Sequence, residues 1–101
     1  MIYNLTDKLN FEDNPKIKIK DKTLEVKADA ETVLSLVSLL QEKGETQATL
    51  ESVDLLFNEK DKKIIKSLKL NFKDYTTFLN TAITLAYGED PDGEVRSQGE
   101  K

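Results

Sequence analysis

The chain has 101 residues, 15 Lys+Arg against 19 Asp+Glu, and a formal net charge of −4. A single domain fits that length, and it can bury roughly 60–65% of the surface that the unfolded chain exposes. With no Cys, His or Trp, the chain has no disulfide, thiol nucleophile, thiolate metal site, imidazole acid or base, or Ser-His-Asp triad.

Residues 1–15 carry Tyr3, Leu5, Leu9 and Phe11 at irregular spacing and end at Asn14-Pro15. Proline biases the preceding residue away from helix, which predicts an irregular arm or a short strand. From Lys16 the period becomes two. Ile17 and Ile19 alternate with lysines, and Leu24 and Val26 alternate with Thr23, Glu25 and Lys27. With Lys20-Asp21-Lys22 as the turn, this predicts a β-hairpin over about 16–27 whose four apolar residues share one buried face. Two strands alone are only marginally stable, so the hairpin must lie on helices.

Asp29 is the expected N-cap of a first helix over 30–43, with Val33, Leu34, Leu36, Val37, Leu39 and Leu40 as its apolar set. Gly44 is expected to end it in the left-handed conformation. A second helix is predicted over 46–58 from Leu50, Val53, Leu56 and Phe57. The charged stretch Glu59–Lys63 starts or leads to a third, over about 61–69, with Ile64, Ile65 and Leu68 as its apolar face. Asn71, with Asp74 three positions on, caps a fourth over 72–87, which stops at Gly88. Residues 89–101 have almost no apolar side chains and read as a flexible acidic tail. The fold class is therefore α+β, mainly helical: an N-terminal β-hairpin followed by about four α-helices in one small domain, 1–88.

With 38% hydrophobic and 34% charged residues, the chain is neither a disordered nor a membrane-spanning type. The N-terminus lacks a basic segment followed by an apolar stretch, so an intracellular setting is expected. Asp90-Pro91-Asp92-Gly93 fails the calcium-loop pattern, because placing Gly93 at loop position 6 puts Gly88 and Gly99 where ligands belong. Asn4-Leu5-Thr6 matches a glycosylation acceptor but has no meaning without a secretory route. The single Arg is Arg96, and the acidic balance repels phosphate, so no nucleic-acid binding is expected. The small basic stripe Lys16–Lys20 reads as the solvent face of a strand. No catalytic, cofactor-binding or metal-binding residue is expected.

Two helices are unusual in their lack of charge. Tyr75–Tyr87 and Thr32–Gln41 contain no Asp, Glu, Lys or Arg, although a surface helix normally keeps a strongly polar face in water. Either both helices are central and covered on most sides, or one face packs on another protein chain. Interface cores are depleted in charge and keep aromatics. The candidate interface is Tyr75, Thr77, Phe78, Thr81, Thr84 and Tyr87, with the threonines on one side and Phe78, Ala82 and Ala86 on the other.

The order of segments carries a resemblance. A short arm, the lysine-rich hairpin Lys16–Lys27, and a helix of the type Asp29-Ala30-Glu31-Thr32-Val33-Leu34 ending in a leucine pair come first. A second helix closes on Leu55-Leu56-Phe57, followed by Asn71-Phe72-Lys73-Asp74-Tyr75 and the ending Ala86-Tyr87-Gly88-Glu89-Asp90. Over roughly residues 1–90 the chain resembles the tail assembly chaperones of long-tailed phages and prophages of Gram-positive bacteria. The resemblance implies a non-enzymatic role in virion morphogenesis: binding the tape-measure protein, recruiting the tail-tube protein, and leaving before the tail is complete. It also implies a homo-oligomer in the host cytoplasm that is absent from the finished virion. This chain would be the short product of a frameshifted pair. A small bacterial adaptor or regulator that binds one protein through its helices is the competing expectation. A nucleic-acid regulator and an enzyme have less support.

Overall fold

The structure is a computed structural model, described over residues 1–9 and 13–91. The expected flexible tail lies outside the described residues from 92 onward, as do Phe11 and the Asp92-Gly93 half of the rejected calcium loop. Within the arm, a single 3₁₀ turn forms at Thr6–Lys8, and its apolar neighbours Met1, Ile2, Tyr3, Leu5 and Leu9 are exposed.

Strands β1 (Lys16–Ile19) and β2 (Lys22–Glu25) form the antiparallel hairpin, with Ile17 opposite Leu24 and Ile19 opposite Lys22. The connection is two residues, Lys20-Asp21, rather than three. Lys20 takes φ 56°, the left-handed region that favours glycine. The apolar side chains share a face as the period-two pattern predicts. Leu24 and Val26 are fully buried, while Ile17 and Ile19 are half-buried against the core.

Four helices follow: α1 (Ala30–Glu42), α2 (Glu45–Leu56), α3 (Glu59–Leu68) and α4 (Phe72–Ala86). Three begin on a side-chain cap that meets free first-turn N–H groups: the N–H of Thr32 donates to Asp29, that of Asp61 to Asn58 and that of Asp74 to Asn71. The capping bond at Asn58 starts α3 two residues before the expected 61 and ends α2 at Leu56. Gly44 does not adopt the left-handed conformation. At φ −66° and ψ 163° it is the extended N-cap of α2, and α1 ends on an equally extended Lys43. Gly88, at φ +84°, does stop the last helix in that conformation.

The core gathers Leu24, Val26, Leu36, Leu56, Phe57, Ile65, Phe78, Leu79, Ala82 and Ala86. At its centre the rings of Phe57 and Phe78 stack with centroids 5.4 Å apart and planes inclined by 21°. Helix α2 packs against both α1 and α4, so the middle helix is the one that carries Glu45, Glu51 and Asp54. The two charge-poor helices flank it. The hairpin is held on the outer edge of β2 and the residues after it. The Glu25 N–H donates to the Asp61 carboxylate at 3.0 Å and the Lys27 N–H to the Leu56 carbonyl at 2.8 Å, which covers groups that a free edge would leave unpaired.

Candidate protein interface

Helix α1 shows most plainly what the absence of charge means. Leu36 is its one fully buried residue, while Leu34 is 66% exposed beside exposed Ser35, Ser38 and Gln41. Val33, Val37, Leu39 and Leu40 are half-buried, so the charge-free stretch keeps one face on the domain and another in the open. Flanking positions leave α1 and α4 each with one face on α2 and another open, so central placement does not explain their composition.

On α4 the expected division into two sides is present. Phe78, Leu79, Ala82 and Ala86 are buried, and Thr77 and Asn80 on the opposite side are exposed. Thr81 and Thr84 are half-buried, and each hydroxyl donates back to its own helix, to the Thr77 and Asn80 carbonyls at 2.9 Å. That bond occupies the hydroxyl hydrogens, so between Thr77 and Tyr87 this side offers few free donors and no charged side chain. Tyr87 lies at the C-terminal end of this side and is 41% exposed. Phe78, by contrast, is 6% exposed and belongs to the core stack, so it supports the surface from behind.

Tyr75 stands apart from the other candidates. It is half-buried at the first turn of α4, and burial, with the Asp54 carboxylate nearby, pushes its phenol above the usual tyrosine range. Its ring borders a cleft of about 630 Å³ between α2, α3 and the start of α4, together with Val53, Ile65 and Leu70. Thr77 and Thr81 border a second, shallower groove of about 300 Å³, whose apolar walls are Ile17, Ile19, Leu70 and Phe78. The structure thus divides the six candidates among an outward threonine face, the core and the wall of a cleft.

The cleft's rim was not legible as a site in the sequence. Lys62 reaches Glu59 at 2.9 Å and Asp54 at 3.4 Å, tying α3 to α2. The hydrogen bond from Lys62 lowers the Glu59 carboxyl pKa, and the same bond raises that of the Lys62 ammonium. Lys63, Lys66 and Lys69 also line the cleft and form no ion pair among the described residues. Their spacings of three from Lys63 to Lys66 to Lys69 were the available signal, since on a helix such positions share a side.

Among the described residues, no helix is long and apolar enough to cross a membrane, and no group of three or more Asp, Glu, His or Cys side chains could hold a metal ion. No family model, curated protein or solved structure matches the chain.

Proposed function

We propose that this protein is a non-catalytic tail assembly chaperone, the short form of its pair, which coats a phage or prophage tape-measure protein and promotes tail-tube assembly. The observation that carries the reading is the pair of charge-free stretches, Thr32–Gln41 of α1 and Tyr75–Ala86 of α4, on helices that flank α2 with their second faces open. Coating a long helical chain requires many copies that touch both it and each other. Uncharged faces suit those contacts, because each unpaired charge buried at a contact opposes it. The segment order that resembles this family supplies the identity of the partners. They are the tape-measure and tail-tube proteins in the host cytoplasm, with the chaperone itself leaving before the virion is finished.

The test uses Thr81→Lys and Thr84→Glu. Both side chains can extend into water from an outward face, so circular dichroism should show folded monomers. Sedimentation velocity should show weaker assembly by about 2–4 kcal/mol, the scale of an unpaired charge at a dry contact. Co-purification with the tape-measure protein encoded beside the gene should fall in parallel. A wild-type protein that stays monomeric at high concentration and does not bind that tape-measure protein refutes the proposal. Retained binding to one unrelated cellular protein would instead favour the adaptor reading.

A further inference from the structure

The cleft beside Tyr75 has an unbalanced charge for a definite reason. Between residues 60 and 73 the chain carries Lys60, Lys62, Lys63, Lys66, Lys69 and Lys73, against a single acid, Asp61. Asp61 does not neutralise them. It is 6% exposed, and its carboxylate is turned to the Glu25 N–H of the hairpin. The two acids that do line the cleft, Glu59 and Asp54, are both held by Lys62. Lys63, Lys66 and Lys69 therefore form a cationic rim without ion pairs among the described residues, with only Lys63 near enough to Glu59 to act on its carboxylate, on a protein whose net charge is −4.

The floor beneath that rim is apolar, formed by Val53, Ile65, Leu70 and Tyr75. Lys69 reaches the rim from the end of α3. It ends α3 at φ 51° and ψ 50°, a left-handed position that disfavours a side chain and where helices commonly carry glycine.

We propose that this cleft binds an acidic amphipathic protein segment, with an aromatic or branched apolar side chain on the floor and flanking carboxylates on Lys63, Lys66 and Lys69. Charge complementarity selects an acidic ligand, and the recessed floor selects one with an apolar anchor. Nucleic acid fits less well. Lysines are point cations without the fork that grips phosphate, no arginine lies among the described residues, and the rest of the surface repels an extended polyanion. A bilayer cannot reach a floor set below its rim. The site is distinct from the threonine face of α4, so its test stands apart from that of the proposed assembly contact.

The experiment is fluorescence anisotropy of the full chain with three labelled peptides: one alternating Glu with Leu around a central Phe, one with every Glu replaced by Lys, and one with the apolar residues replaced by Ser. Only the first should bind, and raising salt from low to physiological strength should weaken it several-fold. The double variant Lys66→Glu/Lys69→Glu should lose binding by roughly tenfold or more and should now take the Lys peptide, while Lys69→Gly should lose part of the affinity and stay folded. Circular dichroism verifies folding. Equal binding of the Glu peptide by wild type and the double variant would overturn the proposal. So would a preference for a single-stranded oligonucleotide or phosphatidylserine vesicles over the peptide.

Discussion

Asp61 is the residue whose replacement tests the architecture most directly. Its carboxylate accepts the Glu25 N–H across 36 positions of sequence, at 3.0 Å, from the first turn of α3. In Asp61→Ala the hairpin amide loses a charge-assisted bond, a loss of about 1.5–3 kcal/mol. Removal of an acid from the positive end of a helix costs about 0.3–1 kcal/mol more. The expected total is about 2–4 kcal/mol. With urea slopes of about 1–3 kcal/mol/M for small domains, the unfolding midpoint should drop by roughly 1 M or more. Asp61→Asn keeps an acceptor oxygen and loses only the charge, so it should cost about 1 kcal/mol. Hydrogen exchange should show the Glu25 amide losing protection in the alanine variant ahead of the core. Burying a carboxylate is itself unfavourable, and that cost acts in the opposite direction. An Asp61→Ala protein as stable as wild type, with Glu25 still protected, would show that desolvation cancels the bond and that the hairpin is held by apolar packing alone.

Two further outcomes follow from the backbone and the caps. Lys20→Gly should raise stability by about 0.5–1 kcal/mol, because Lys20 occupies a left-handed φ in a two-residue hairpin connection where glycine is favoured; chemical denaturation measures it. At Asp29, the hydroxyl and N–H of Thr32 hold the carboxyl below its ordinary range. A depressed folded-state pKa contributes stability that is present above the unfolded carboxylate value and lost as pH falls through the folded one. Wild type should therefore be more stable than Asp29→Ala at neutral pH. The difference in denaturation midpoints should narrow on acidification below the normal aspartate range, leaving only what a neutral carboxyl oxygen contributes as a cap.

The elements with local causes were the legible ones. Alternation of Ile17 and Ile19 with lysines announces a strand wherever it falls, and Asp29 and Asn71 announce helix starts because their bonds reach only three residues on. Asn58 carries the same signal, with Asp61 three positions later, yet the apolar run ending at Phe57 draws the eye to a longer second helix. Gly44 shows the limit of residue preference. Two consecutive extended residues, Lys43 and Gly44, make the turn between α1 and α2 without a left-handed residue. What the sequence could not disclose was long-range. The turning of Asp61 toward the hairpin and the capture of Asp54 by Lys62 depend on tertiary packing, and together they leave one side of α3 cationic. The basic stripe at Lys16–Lys20 was the visible one. The charge-poor faces were legible, but which helix lay between the others was not, since burial order is set by pairing and not by composition.

The position of α1 has a consequence for motion. It packs chiefly on α2, its neighbour in sequence, and commits one fully buried side chain, Leu36, to the core. With Val33, Val37, Leu39 and Leu40 only half-buried beside it, less apolar surface is exposed if α1 detaches from the rest of the domain than if α4 does, which buries Phe78, Leu79, Ala82 and Ala86. Units of this kind open below the free energy of global unfolding, so the amides of α1 should exchange by a sub-global route that those of α4 do not share. Any molecule that rests on the outer face around Leu34 also closes that route, and the affinity it shows will include the work of holding α1 in place.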